Sequence, residues 1–226
     1  ETDPLYTRKG SQFMFSVAAT PPWSLWDGKD YKNMSDQDEA KFRMIEYHKW
    51  KFKAKIFSPL APLTVKRTPV LMTRVEYGFL GSYNKYKKSP FETFYMGGDG
   101  MSGYSSTYAT ETIGLRGYEN GSIAGNGGYN SYGYAYSRLS MELRYPFLLE
   151  PSSTIYGLVF VEAGNAWRDL KDFNPFQLKR SAGVGVRIFL PMIGLMGIDW
   201  AYGFDRPDGY DQRGGSNFHF IIGQEF

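Results

Sequence analysis

Apolar and polar residues alternate with period two over eight segments of the chain. In 12–18, Phe13, Phe15 and Val17 share one face while Gln12, Met14 and Ser16 share the other. In 42–57, Trp50, Phe52, Ala54 and Ile56 oppose Lys49, Lys51, Lys53 and Lys55. Segment 70–80 sets Leu71, Thr73, Val75, Tyr77 and Phe79 against Arg74 and Glu76. The most regular segment is 135–145, where Leu139, Met141, Leu143 and Tyr145 oppose Arg138, Ser140, Glu142 and Arg144. Segments 154–164, 181–190, 195–204 and 217–226 continue the pattern, with Val159, Val184, Trp200 and Phe218 on the apolar side. Alternation this long predicts strands and argues against helices.

The same string suits two folds. A soluble sandwich hides its apolar face, whereas a membrane barrel turns that face to lipid and keeps polar residues inside. Three features favour the barrel. The segments are longer than the 5–6 residues typical of soluble strands. Aromatics such as Trp50, Tyr145, Trp200 and Phe204 cap the apolar faces, as membrane-interface girdles do. Long connections (19–41, 81–133, 165–179, 205–216) alternate with shorter ones (58–69, 146–153, 191–194), as outer loops alternate with inner turns. The expected fold class is therefore all-β, an antiparallel transmembrane β-barrel with eight strands in this chain. Its register is strongly specified, because a one-residue slip of 135–145 would place Arg138 and Arg144 in lipid at ~2–4 kcal/mol each near the midplane.

Composition narrows the function. The 226 residues suffice for one domain, 1–226, with a long inserted outer loop at about 81–133. With no Cys and two His, neither a disulfide framework nor a Cys- or His-rich metal site is expected. A net charge of +3 gives no reason to propose nucleic acid as a partner. Aromatics reach 18%, which suits strands with aromatic girdles. No signal segment is expected at the polar start Glu1-Thr2-Asp3-Pro4. The longest apolar run, 188–198, is interrupted by Pro191 and Gly194 and falls well short of the ~20 residues of a spanning helix. The acidic stretch 27–39 lacks EF-hand spacing and reads as a solvated loop.

A connection as long as 81–133 within a β-domain is either disordered or functional, and near its middle stands Leu115-Arg116-Gly117-Tyr118. This tetrapeptide resembles the Val-Arg-Gly-Phe/Tyr signature of the BamA/TamA superfamily of outer-membrane assembly factors. Three further stretches resemble the family: Tyr6 to Phe13, its strand-opening turn without the usual Pro; Phe91 to Gly98, its aromatic-Gly-Gly lead-in to the sixth outer loop; and Phe160-Val161-Glu162-Ala163-Gly164, its Phe-x-Asp-x-Gly strand motif with Glu for Asp. An insertion at about 99–113 separates the lead-in from the signature. The final stretch, Phe218, Phe220, Ile222, Gly223 and Phe226, resembles the C-terminal signal of outer-membrane barrels.

The resemblance implies that the loop folds into the lumen and Arg116 meets Glu162, a partner that a buried guanidinium would require. Charge reversal of Arg116 should then impair assembly, and paired reversal with Glu162 should partly restore it. The resemblance further implies a location in the bacterial outer membrane and correspondence to the C-terminal half of a sixteen-strand barrel, with a poorly paired last strand at a lateral seam. It implies an insertase that folds nascent β-barrel proteins by strand templating. Partners would be outer-membrane lipids, those nascent proteins and accessory periplasmic lipoproteins. Two alternatives stay open: a two-partner secretion transporter of the same superfamily, and a small structural outer-membrane barrel. An enzyme is not expected, since His48 and His219 are far apart in sequence and Gly-x-Ser-x-Gly is missing. No cofactor is expected either.

Overall fold

Charged side chains lie buried on one face of the sheet while bulky apolar ones lie exposed on the other. The structure, a computed structural model, describes residues 6–36, 38–100, 111–123, 132–150, 152–192 and 194–222. Its main sheet comprises β1 (Gly10–Ala19), β2 (His48–Pro59), β3 (Val70–Gly81), β6 (Ala135–Glu150), β7 (Ser153–Trp167), β8 (Lys179–Leu190), β9 (Gly194–Gly203) and β10 (Gly215–Ile222), antiparallel and in that order. The loop between β3 and β6 carries a small parallel pair, β4 (Phe94–Met96) and β5 (Glu111–Ile113). Among the described residues, β1 and β10 each pair on one side, so the main sheet is open at both edges.

Register explains the faces. Leu71, Leu143, Val159, Val184, Trp200 and Phe218 are successive cross-strand partners, forming one apolar row across six strands. Val159 is 56% and Phe218 67% exposed. On the inner face, Arg74, Ser140, Glu162 and Ser181 form a polar row that is buried throughout. A sandwich in water would have the reverse arrangement. Greasy outside and charged inside suits hydrocarbon around the wall and a filled interior.

The loop 82–134 supplies the filling. Leu115, Tyr118, Phe94, Met96 and Ile113 form a buried cluster with Leu80, Tyr136 and Ala166 of the wall. A second cluster joins Tyr6, Phe57, Met72, Tyr156 and Phe160. There the Tyr6 hydroxyl donates to the carbonyls of Thr68 and Arg144, both at 3.1 Å.

Three local expectations need correction. Strand β2 starts at His48 rather than near 42, because Asp38 caps a helical turn, α2 (Glu39–Phe42), accepting from the Ala40 N–H at 2.9 Å. A side-chain cap of this kind satisfies a helix-start donor, and α1 (Trp23–Trp26) precedes it in the same connection. Hence 27–39 is not simply a solvated loop: the Asp27 carboxylate accepts from Tyr31. Finally, β6 continues past Tyr145 through a register shift between Pro146 and Leu148, since a bulge accommodates a residue without an N–H.

Candidate functional site

The loop enters the inner side and ends its descent at Arg116, which is wholly buried. Gly117, next in sequence, has φ +89°. A Cβ there would lie 2.8 Å from Ser181 Cβ and 2.9 Å from the Gly203 nitrogen, so any larger residue would push the tip off the wall. The carbonyl of Gly117 in turn packs where Gly203 leaves no side chain; a Cβ on Gly203 would sit 2.3 Å from it. Main chain meets main chain at this contact, and only glycine permits such an approach.

The Arg116 guanidinium reaches three strands. Nη2 donates to Glu142 Oε1 on β6 at 2.6 Å and to Glu162 Oε1 on β7 at 2.8 Å, and Nη1 donates to Asp199 Oδ2 on β9 at 3.0 Å. The Arg116 backbone N–H adds a bond to Glu162 Oε2 at 2.9 Å, and the guanidinium carbon stands 3.5 Å over the Phe160 ring. The planar fork of an arginine, unlike a lysine ammonium, can serve several acceptors and an aromatic face together.

Each carboxylate has a second cation from the wall. Arg138 donates to Glu162 at 2.8 Å, Arg144 to Glu142 at 2.7 Å, and Arg187 to Asp199 at 2.6 Å and 2.8 Å. Buried charges are tolerable when paired and hydrogen-bonded in this way. The tip has further attachments. Gly117 N–H donates to His219 Nε2 on β10 at 2.9 Å, and Tyr118 donates to the Arg180 carbonyl on β8 at 2.6 Å. Burial pushes the Tyr118 phenol up to about 12, so it remains a donor at neutral pH. Above it, in the loop 204–214, Asp205 takes three bonds from Arg180, at 2.7, 3.0 and 2.9 Å; those bonds hold its carboxyl below the usual range.

The residues singled out in the sequence fall into two places. Leu115, Arg116, Gly117, Tyr118, Phe160 and Glu162 converge on the socket. Gly164 flanks it, where a Cβ would come within 2.4 Å of Met96 and 3.2 Å of Leu115. Phe218, Phe220 and Ile222 lie on the apolar face of β10 and are exposed; Gly223 and Phe226 lie outside the described residues. The sequence reading missed Glu142 and Asp199 as partners of Arg116, although both show inner-face parity. It also missed a second anchor: Glu111 on β5 pairs with Lys49 at 3.0 Å and Lys51 at 3.1 Å on β2.

An antiparallel wall, greasy on one face and charged on the other, with a loop locked against the charged face, defines a transmembrane β-barrel of the outer-membrane type. Residues 38–226 match the Omp85 superfamily domain, and the chain belongs to that superfamily and to the bacterial outer membrane. Among solved structures it is similar to BamA from Haemophilus ducreyi lacking POTRA domains 1-3, with a TM-score of 0.64 and 20% identity over 97% of this chain and 39% of that one. That likeness concerns the fold, and the chain spans about two fifths of the matched structure's chain. Among curated proteins nothing matches.

Proposed function

We propose that this chain is the strand-templating part of an outer-membrane insertase that folds nascent β-barrel proteins into the membrane. The observation that carries the reading is the uneven grip of the plug on the wall. Strands β6, β7 and β9 are held together through one buried guanidinium. Strand β10 is joined to the plug by the neutral His219 contact and to β9 over 215–222. It is an edge strand, held to the plug without an ion pair among the described residues.

An opened edge in hydrocarbon exposes unpaired N–H and C=O groups, each costing several kcal/mol. A substrate strand added to that edge by β-augmentation removes the cost. Membership of the Omp85 superfamily supports the reading. The surroundings are outer-membrane lipids, the substrates nascent barrel proteins, and accessory periplasmic lipoproteins complete the proposed assembly. The role assigned to the chain is positional and requires no catalytic group.

Because the chain contains no cysteine, a single introduced one is a unique probe. Cysteines placed one at a time at Phe218, Phe220 and Ile222 should form disulfides with alternate cysteines along the terminal strand of a stalled barrel substrate. No crosslink at any of these positions, together with ion conductance in planar bilayers, would instead favour a secretion conduit and end the templating proposal.

A further inference from the structure

Five arginines are buried on or against the inner face: Arg74, Arg116, Arg138, Arg144 and Arg187. Four carboxylates accompany them: Glu76, Glu142, Glu162 and Asp199. All but Arg74 hydrogen-bond to a carboxylate at 2.8 Å or less. Arg74 is 3% exposed, yet its nearest ion pair is Nε to Glu76 Oε1 at 3.8 Å, too long for a hydrogen bond. Among the described residues its Nε and Nη2 find no acceptor. A buried guanidinium with unmade bonds is costly, and it is the side chain best shaped to take two oxygens of one anion.

A cavity of about 250 Å³ lies beside it, between the wall and the plug. Lys53, Lys55 and Arg138 join Arg74 in lining it. In register, Lys55 stands opposite Arg74 and Lys53 opposite Glu76, with Arg138 opposite Glu76 on the other side. Four cations thus surround one wall carboxylate, and Asp99 of the plug adds the other lining carboxylate. Arg138 is already paired with Glu162, and Lys53 lies 4.0 Å from Glu111, so the deficit left in the cavity is the two unmade bonds of Arg74. An oxyanion answers both with two oxygens of one group, in a lining where cations predominate.

We propose that this cavity binds a phosphate-class oxyanion, held by the Arg74 fork with Lys53, Lys55 and Arg138 around it. The ion fills the place of a fifth carboxylate and ties β3 to the rest of the charged face. Met14 of β1 and Ile221 of β10 also line the cavity, so it lies toward both open edges of the sheet. The phosphate could therefore arrive free from solution or as the head of a lipid. The inference stands apart from the insertase reading, since it concerns occupancy rather than strand exchange.

The test uses the full-length protein purified in phosphate-free maltoside detergent. Native mass spectrometry shows whether a phospholipid stays bound. Thermal unfolding is then followed against inorganic phosphate, with chloride matched in ionic strength; a ligand that binds the folded state raises Tm with concentration. A free-phosphate site gives a saturable rise in Tm that chloride does not reproduce. A lipid-head site gives a retained phospholipid and no response to phosphate until delipidation. Under either source, Arg74→Gln weakens binding at least tenfold. Glu76→Gln, by removing the competing carboxylate, tightens it severalfold, which no loss of folding could mimic. Equal binding by wild type and Arg74→Gln, or unchanged or weaker binding by Glu76→Gln, overturns the proposal.

Discussion

Exchanging the charges of Arg116 and Glu162 separates a simple ion pair from a shared hub. Arg116→Glu places a carboxylate among Glu142, Glu162 and Asp199, which lie at 2.6, 2.8 and 3.0 Å from the present guanidinium. Two unit charges about 4 Å apart interact by roughly 4 kcal/mol at an effective dielectric of 20. Three repulsions on that scale exceed what a marginally stable fold can absorb, so the single variant should expel its plug. Adding Glu162→Arg converts one repulsion to attraction. It leaves the two with Glu142 and Asp199, and it sets a new guanidinium against Arg138, now 2.8 Å from the carboxylate being replaced. The double variant should therefore be no better than the single one, contrary to the expectation for an isolated pair. The assay is heat-modifiable gel mobility and thermal unfolding in detergent, with labelling of a cysteine at Tyr118 to report plug exposure. Arg116→Lys should fall between, keeping charge but losing the fork. Recovery of the double variant to near wild-type unfolding temperature would refute the hub.

Gly117→Ala should destabilise the seated plug by about 1–3 kcal/mol from backbone strain alone, with more from the Ser181 and Gly203 clashes; the Tyr118 cysteine label should report its release. Val184→Arg should cost about 2–4 kcal/mol if the residue is near the bilayer midplane, measurable as reduced folding yield into liposomes, whereas little loss would place that row in water. Asp205 has a folded pKa depressed chiefly by its hydrogen bonds from Arg180. Its contribution is therefore present above about pH 4 and is lost as pH falls through the folded value. Arg180 is largely exposed, so the term is small. The stability gap between wild type and Asp205→Asn should accordingly close on acidification, and a gap that widened there would contradict the assignment.

What could be read in advance follows from which interactions are local. Alternation is a property of adjacent residues, so Trp50 and Lys51 declare opposite faces whatever they pair with. The strand ends were less legible because single events decide them: Asp38 capping a turn before β2, or Pro146 provoking a bulge instead of a stop. Arg116 and Glu162 were linked through family resemblance, not through spacing. Glu142 and Asp199 had the correct parity, but their meeting depends on register accumulated across β6 to β9 and on the depth the loop reaches. Glu111 had no signal, standing at the far end of an insertion whose path the resemblance did not cover.

The arithmetic of the socket has one more implication. With Arg116 withdrawn, Glu142 keeps Arg144, Glu162 keeps Arg138, and Asp199 keeps Arg187. Counted without Arg116, these three sites balance one cation against one carboxylate each. Removing the guanidinium would therefore strand none of these three carboxylates, because each has a cation of its own on the wall.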